Sequence, residues 1–336
     1  MTKKIILSFL LFVLVMIPLS DLKAQKQDLT RKRPVGTEFW LCFMKNFLKQ
    51  KTKSSTNKLN LELFVTGDDD ANVIVEITAL NFRKEVFVPG GTVRNIKISP
   101  RAEIATFETI EEDFGVHITS DNPISVYGLN TRYQTTDTYL GLPVNVLGNE
   151  YRIMSYNVAG ELKSSFAIVA TEDKTVINIL PTTQTLGGKE AGSPFVIKLD
   201  KGDVYQVGTM VESVNANADL TGTYISSNKK IAVYGGHQCA YVPKSPSRVI
   251  ACNHLVEQLP PVSSWGKHFY IGKMQNRSEY TYRVLAHKDE TKLFLDGKLV
   301  RTLRAGEYFE ADTNANIQIT ASEPVLTAQF SQGYKN

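Results

Sequence analysis

The stretch Ile118-Thr-Ser-Asp-Asn-Pro-Ile-Ser-Val-Tyr127 decides the fold of this chain, because related stretches occur at two further places. These are Ile225-Ser-Ser-Asn-Lys-Lys-Ile-Ala-Val-Tyr234 and Ile319-Thr-Ala-Ser-Glu-Pro-Val-Leu-Thr-Ala328. Each copy has apolar and β-branched residues on both sides of a short polar segment, a pattern that predicts extended strands. The chain is therefore predicted to contain three related β-units.

Two further elements recur in the same order around these copies. The first is a glycine with an aromatic residue three positions later, in Gly36-Thr-Glu-Phe39, Gly148-Asn-Glu-Tyr151 and Gly266-Lys-His-Phe269. The second is an apolar strand that runs into an acidic turn, and its three copies align Val65 with Val169 and Leu285. A repeat this long indicates domain-sized modules rather than a solenoid of small units.

The repeats predict three β-modules, at residues 36–147, 148–265 and 266–336. Short runs of alternating apolar and polar residues separated by turn residues fill these modules, and no long amphipathic helix is found. We therefore expect an all-β fold of tandem β-sandwich-like modules with roughly seven strands each. The third module is shorter than the other two, and we expect the chain to be truncated there.

The composition is that of an ordinary globular protein, since 42% of the 336 residues are hydrophobic and 21% are charged. These values exclude a disordered, collagen-like or disulfide-dense chain. The sequence has no G-x-S-x-G, H-E-x-x-H, P-loop or Rossmann pattern. We therefore predict a protein that is not an enzyme and that uses no cofactor.

The amino-terminal residues 1–24 are predicted to be a signal peptide. Lys3 and Lys4 precede an apolar run over residues 5–19, and Ala24 offers the cleavage point. No later segment is apolar for the length of a membrane span. We therefore expect a secreted or cell-surface protein with no transmembrane segment after signal cleavage, and with cysteines in an oxidising compartment.

Positive charge is concentrated near the amino terminus of the mature chain, in a basic leader at residues 25–35 and a loop that follows. Residues 26–58 hold nine basic and two acidic residues. This excess could bind an anionic surface. A solvated leader and loop are favoured, because no aromatic residues interleave with the charges of the loop at residues 49–58. A nucleic-acid partner is not expected for an exported chain.

Three consecutive acidic residues, Asp68, Asp69 and Asp70, could provide oxygen ligands for Ca²⁺. The corresponding turns of the other two copies also contain acidic residues, at Asp173 and Asp289. Acidic side chains are common in turns because they accept hydrogen bonds from nearby backbone groups. The repeat therefore favours turn formation over a calcium site.

The candidate for chemistry is His237-Gln-Cys239 together with Cys252-Asn-His254. Two such pairs could form a His₂Cys₂ zinc site or supply a Cys–His nucleophile. The prediction that we favour is a Cys239–Cys252 disulfide, because neighbouring thiols of an exported protein oxidise. That bond would hold a loop with Tyr241, Lys244 and Arg248, our candidate binding residues, since functional residues concentrate on scaffold-held loops. Cys42 lies in an apolar strand and is predicted to be a buried free thiol.

The segment that runs from Thr223 through His237, Cys239-Ala and Val242-Pro to Cys252 and Trp265-Gly-Lys resembles the IgG Fc-binding protein N-terminal domain family. Gly36-Thr-Glu-Phe-Trp-Leu and Tyr139-Leu-Gly-Leu-Pro143 resemble it as well. The resemblance covers residues 36–330 and implies an exported bacterial member of the family. It implies a non-catalytic binding or adhesion protein whose partner is IgG Fc, a mucin-like glycoprotein or another host or cell-surface glycoprotein. The alternative function is a metal-dependent hydrolase or metalloprotein centred on His237, Cys239, Cys252 and His254.

Overall fold

The computed structural model describes residues 34–47, 58–210, 218–244, 249 and 251–333. The predicted signal peptide, most of the basic leader and nearly all of the basic loop at residues 49–58 lie outside this range. The strands are β1 (Gly36–Leu41), β2 (Asn60–Thr66), β3 (Ala71–Ile77), β4 (Phe82–Val88), β5 (Val93–Ile98), β6 (Ile110–Glu111), β7 (Val116–Arg132), β8 (Thr135–Gly141), β9 (Gly148–Arg152), β10 (Ser164–Ala170), β11 (Thr175–Leu180), β12 (Phe195–Leu199), β13 (Val204–Gly208), β14 (Tyr224–Ala240), β15 (Asn253–Gln258), β16 (Gly266–Ile271), β17 (Tyr280–Ala286), β18 (Thr291–Leu295), β19 (Lys298–Leu303), β20 (Tyr308–Thr313) and β21 (Ile317–Ser331).

These strands form three sheets, and every pairing between them is antiparallel. The first sheet contains β1–β5, β7 and β8, the second contains β6 and β9–β15, and the third contains β16–β21. Only short 3₁₀ turns interrupt the strands in the described residues, and no helix there is long and apolar enough to span a membrane. The all-β prediction is confirmed, and the three sheets agree with tandem sandwich-like modules.

One long strand organises each sheet, because its two halves pair with different neighbours. The first half of β7 lies between β1 and β3, whereas its second half lies between β2 and β8. The first half of β14 likewise lies between β9 and β11, and its second half lies between β10 and β15. These long strands contain the repeated stretches from which the sequence analysis began.

The polar segment in the middle of each long strand binds the backbone of a neighbouring strand. In each case one residue of the segment uses a side-chain oxygen to accept a hydrogen bond from a backbone N–H at or near the start of β3, β11 or β18. The backbone N–H groups of Asn72, Val176 and Lys292 donate to the side chains of Asp121 (2.8 Å), Asn228 (2.8 Å) and Ser322 (2.9 Å), respectively. The three sheets therefore share this detail of their construction.

The acidic turns also have equivalent roles. In each module one carboxylate of the turn accepts a hydrogen bond from a backbone N–H of a neighbouring turn. The pairs are Gly90 with Asp70 (2.8 Å), Lys201 with Asp173 (3.1 Å) and Ala305 with Asp289 (2.9 Å). Turn formation accounts for these residues, as the repeat suggested.

The modules are not independent bodies, because short segments cross between them. The two-residue strand β6 belongs to the predicted first module but pairs with β13 of the second sheet. The backbone N–H of Lys45 donates to Gln206 Oε1 across the same boundary (3.0 Å). From Pro34 onward the chain forms one compact unit. The module boundaries at residues 147/148 and 265/266 stay a prediction.

Candidate functional site

The loop between β14 and β15 is closed by a disulfide. Cys239 lies at the end of β14, Cys252 immediately precedes β15, and their sulfur atoms are bonded with the Cα atoms 5.1 Å apart. The register between the two strands shifts between His237 and Ala240, so the pairing is irregular where the disulfide begins. Cys42, which immediately follows β1, is a buried free thiol.

The disulfide overturns the metal-centre and nucleophile alternatives for His237, Cys239, Cys252 and His254. Zinc binding and nucleophilic attack both require a cysteine thiolate, and both sulfurs are bonded to each other instead. Within the described part of the chain, no group of three or more His, Cys, Asp or Glu side chains is arranged to hold a metal ion. A metal or nucleophile centre built from these four residues is therefore not formed in this structure.

The two histidines instead support the backbone beneath the disulfide. Both are fully buried. The Nδ1 of His237 accepts the backbone N–H of Cys239 (3.0 Å), and the Nδ1 of His254 lies 3.0 Å from the carbonyl oxygen of His237, to which it donates. Burial lowers the pKa of His237 to about 3 and the pKa of His254 to about 4. Both imidazoles are consequently neutral at physiological pH.

The predicted binding residues lie on the loop that the disulfide closes. Tyr241 is half-buried and Lys244 is exposed, whereas Arg248 lies outside the described residues. The carbonyl oxygen of Val242 accepts the backbone N–H of Gly333, at 2.8 Å. The disulfide thus joins the two ends of the loop, and the residues that follow β21 hold it near its first end.

A cleft of about 910 Å³ adjoins the loop. It is bounded by the loop itself, by β8, by β15 and by the second half of β21. Two carboxylates line it: burial raises the pKa of Asp137 to about 6, and burial together with the Asp137 charge raises the pKa of Glu257 to about 7. Solvent still reaches Glu257, but the concave surroundings displace much of its hydration. Near neutral pH its charge therefore depends on small changes in pH.

Arg283 is the principal residue that the sequence analysis missed. Its guanidinium is completely buried between the second and third sheets, where it lies over the rings of Tyr156 and Tyr308 at 4.2 and 4.3 Å. It donates to Asp219 Oδ2 (2.8 Å) and to Glu310 Oε2 (2.6 Å). It also donates to the backbone oxygen of Ser155 and to the side chains of Asn157 and Thr221.

Burial alone would lower the pKa of Arg283, but the carboxylates of Asp219 and Glu310 outweigh burial and raise it. Arg283 therefore stays charged and joins the two sheets on one side of the cleft. A single signal in the sequence points to it. Arg283 interrupts the otherwise uncharged strand Tyr280-Thr-Tyr-Arg-Val-Leu-Ala286, every residue of which is buried.

Comparison with known proteins gives two matches. The family model described as IgGFc binding protein matches residues 137–336, which include most of β8, all of β9 to β21, the disulfide and Arg283. The IgGFc-binding protein of Homo sapiens is 27% identical over 318 residues. That alignment covers 92% of this chain but only 6% of the human protein.

Proposed function

This chain belongs to the IgGFc binding protein family, and we propose that it is a non-catalytic binding protein that recognises a protein or glycoprotein. We further propose that it is exported through its signal peptide and acts at a cell surface or outside the cell. A disulfide such as Cys239–Cys252 persists in oxidising compartments, which supports export. Export predicts that the mature chain begins at Gln25, and mass spectrometry of the exported protein tests this start.

The observation that carries the binding proposal is the construction of the loop between β14 and β15. Binding residues are often found on loops whose ends a rigid scaffold holds, because little conformational entropy is then lost when a partner binds. Here the disulfide and the hydrogen bond between Val242 and Gly333 provide the scaffold. Tyr241, Lys244 and Arg248 are the residues through which we propose that the loop contacts its partner. Tyrosine and arginine are enriched among the residues that dominate interface energetics.

The partner classes to test first are IgG Fc and a mucin-like glycoprotein. The human relative is named for binding IgG Fc, and this chain spans about 6% of its length. Whether this segment shares that ligand is a proposal that needs a direct measurement. Biolayer interferometry with immobilised human Fc, deglycosylated Fc and purified mucin provides it.

We expect saturable binding to Fc or to mucin, weakened about tenfold or more by Tyr241→Ala, as for a central aromatic interface residue. Arg248→Ala tests the residue outside the described range in the same way. Tyr270→Ala is the matched control, because Tyr270 lies on β16 and is 80% exposed, away from the loop. Absence of binding to all three probes would refute the proposed partner classes. Equal losses in the Tyr241 and Tyr270 variants would refute the role of the loop.

A further inference from the structure

Trp40 and Arg152 occupy equivalent positions in the first and second sheets. Trp40 of β1 pairs with His117 of β7. Arg152 of β9 pairs in the same way with Tyr224 of β14. The ring of Trp40 is stacked on that of His117 with the centroids 4.1 Å apart, and the guanidinium of Arg152 lies over the Tyr224 ring at 5.1 Å. The second sheet therefore has a cation where the first has an aromatic ring.

A glycine turn of the following sheet packs against each of these two residues. Lys201-Gly-Asp203 precedes β13, and a side chain at Gly202 would contact the indole of Trp40. Ala305-Gly-Glu307 precedes β20, and a side chain at Gly306 would lie 2.9 Å from Nη1 of Arg152. We call Trp40 with the turn at residues 201–203 the first junction, and Arg152 with the turn at residues 305–307 the second junction. Because their backbones are equivalent, their side chains can be compared directly.

The first junction is filled by its own side chains. Trp40 is only 5% exposed, and Nζ of Lys201 lies over the indole at 5.6 Å. The second junction has Ala305 at the position of Lys201, and it opens into a cleft of about 930 Å³, which we call the arginine cleft. Clefts of about 300–1,000 Å³ are typical of small-ligand sites. The first junction shows that this backbone needs neither a charge nor a cleft at this place.

Arg152 lines the arginine cleft with part of its hydrogen-bonding capacity unused. Its Nη1 donates to the carbonyl oxygen of Gly222 (3.0 Å). Its Nη2 and Nε donate to the carbonyl oxygen and to Nδ1 of His287, both at 3.3 Å. A guanidinium carries five N–H groups. The two that remain have no acceptor in the described part of the chain, and no carboxylate there forms an ion pair with Arg152.

The surroundings of Arg152 leave its charge incompletely compensated. Burial lowers the pKa of Arg152, because the walls displace part of its hydration, and the carboxylates of Glu150 and Asp289 offset only part of this effect. An arginine nevertheless stays charged in a protein. An anion in the arginine cleft would therefore gain the attraction of a half-buried cation.

Two more arginines line the arginine cleft. Arg304 is exposed, and its guanidinium makes no hydrogen bond or ion pair with the residues that the structure describes. Arg301 pairs with Glu307 at 2.6 Å. Glu290 is the other acidic residue of the lining, so three positive charges face two negative ones. This small excess suits a carboxylate or a sulfate with one negative charge better than a phosphate monoester with nearly two.

The remaining lining suits the uncharged part of a sugar. Thr182 and Thr302 contribute hydroxyl groups, and Leu180 and Pro181 contribute apolar side chains. A sugar ring likewise has hydroxyl groups and apolar C–H faces. A free sulfate or carboxylate ion would occupy only a small part of the 930 Å³. The size and the mixed lining therefore favour an acidic sugar over a free inorganic anion.

We propose that the arginine cleft binds a sugar that carries one carboxylate or sulfate group, with Arg152 contacting that group and Arg304 adding to the attraction. Charge-assisted hydrogen bonds from arginine to such a group are among the strong ones in proteins. The proposal goes beyond the proposed function. It does not rest on the loop between β14 and β15, because the arginine cleft shares no lining residue with that loop.

Isothermal titration calorimetry of the full chain with lactose, 3′-sialyllactose and 3′-sulfolactose tests the proposal. We expect saturable binding of an acidic lactose and binding of neutral lactose that is weaker by about tenfold or more, since lactose has no partner for the Arg152 charge. Binding of 3′-sialyllactose alone identifies a carboxylate ligand, and binding of 3′-sulfolactose alone identifies a sulfate ligand. A higher salt concentration should weaken the binding of either.

Arg152→Trp gives the second junction the residue of the first. This variant should fold and should weaken the binding of the acidic lactose by about tenfold or more. Arg304→Gln should also weaken binding, with little effect on folding because Arg304 is exposed. Arg94→Gln is the matched control, since Arg94 is an exposed arginine on β5 of the first sheet and should leave the affinity unchanged. Urea unfolding shows whether each variant is folded.

Three results would overturn this proposal. They are absence of binding by both acidic lactoses, equal affinity for neutral and acidic lactose, and unchanged binding in the folded Arg152→Trp and Arg304→Gln variants. Inorganic sulfate that binds as tightly as the acidic lactoses would overturn the sugar assignment, and tighter binding of acetyl-aspartyl-glycine amide would assign the arginine cleft to an acidic peptide instead. Tyr241→Ala should leave the affinity for acidic lactose unchanged, so failure here is distinguishable from failure of the loop to bind Fc or mucin.

Discussion

Replacement of Arg283 by methionine is expected to destabilise the protein more than replacement of any exposed arginine. Methionine keeps an unbranched apolar side chain of comparable length between Tyr156 and Tyr308 but removes every hydrogen bond of the guanidinium. The side chain of Asp219 is only 6% exposed, so its carboxylate would be left buried without its cationic partner. The variant therefore tests whether Arg283 joins the second and third sheets.

The expected loss in free energy of unfolding is about 3–5 kcal/mol, the usual consequence of removing one partner of a buried ion pair. Most of this loss comes from the unpaired Asp219 charge, because Glu310 is 28% exposed and can regain water. Adding Asp219→Asn to the Arg283→Met variant removes that charge. The double variant should therefore recover about 1 kcal/mol or more relative to the single variant.

Urea unfolding followed by tryptophan fluorescence and by circular dichroism measures these differences. Arg83→Met is the matched control, because Arg83 also pairs with two carboxylates, those of Glu76 and Glu85, but is 51% exposed. Exposed pairs contribute little, so this control should unfold like the parent protein. A loss of less than about 1 kcal/mol for Arg283→Met would refute the reasoning, since it lies well below the range for buried pairs. An equal loss in the Arg83 control would refute it as well.

Three further predictions concern the Cys239–Cys252 disulfide, the buried His254 and Gly235, which lines the cleft. Thiol titration of the denatured, unreduced protein should find one free thiol, and the Cys239→Ser/Cys252→Ser variant should lose about 3 kcal/mol of stability in urea unfolding. Burial lowers the pKa of His254 from 6.5 to about 4, so the folded protein favours the neutral imidazole. The resulting contribution to the free energy of unfolding is complete above pH 6.5 and is lost as the pH falls through 4. His254→Asn should therefore reduce the loss of stability between pH 7 and pH 4 by about 3 kcal/mol, whereas an unchanged pH dependence would contradict the assignment. Gly235→Ala should lower the melting temperature, because its Cβ would collide with a backbone carbonyl oxygen, while Gly272→Ala, in open space, should not.

Strands and turns were predicted well from the sequence, because they depend on the local pattern of apolar and polar residues. Alternation of apolar residues and the spacing of turns predicted the strands. The sequence predicted separate short strands on the two sides of the polar segment at residues 119–123, whereas the structure joins them in the single strand β7. The alignment of the copies was nevertheless displaced by one residue in the first module. Val169 pairs with Ala232 and Leu285 pairs with Leu326 at equivalent positions, but the residue that matches them by pairing is Thr66 rather than Val65. Strand register depends on which backbone groups meet, and a one-residue difference in a turn does not alter the apolar pattern enough to reveal it.

The parts that sequence could not predict are those made by residues far apart in the chain. Arg283 meets Asp219 across 64 residues, and β6 meets β13 across about 90. The lone charge in an uncharged strand is a weak signal for Arg283, and β6 has no signal at all, since an arginine in a strand and a two-residue strand are both compatible with an exposed surface. The two histidines had a signature, because each lies two residues from a cysteine, and it suggested a metal site as an alternative to the predicted disulfide. The structure decides against the metal site, because the disulfide removes the two thiolates that a metal would need.

The strands that cover the long strands of the first two sheets also join those two sheets to each other. Asn253 of β15 donates to and accepts from the backbone of Thr136 on β8, and Gln258 accepts the backbone N–H of Leu142. An edge strand in this protein thus covers its own sheet and contacts the edge strand of the previous one. Arg283 makes the corresponding link between the second and third sheets through its hydrogen bond to Asp219.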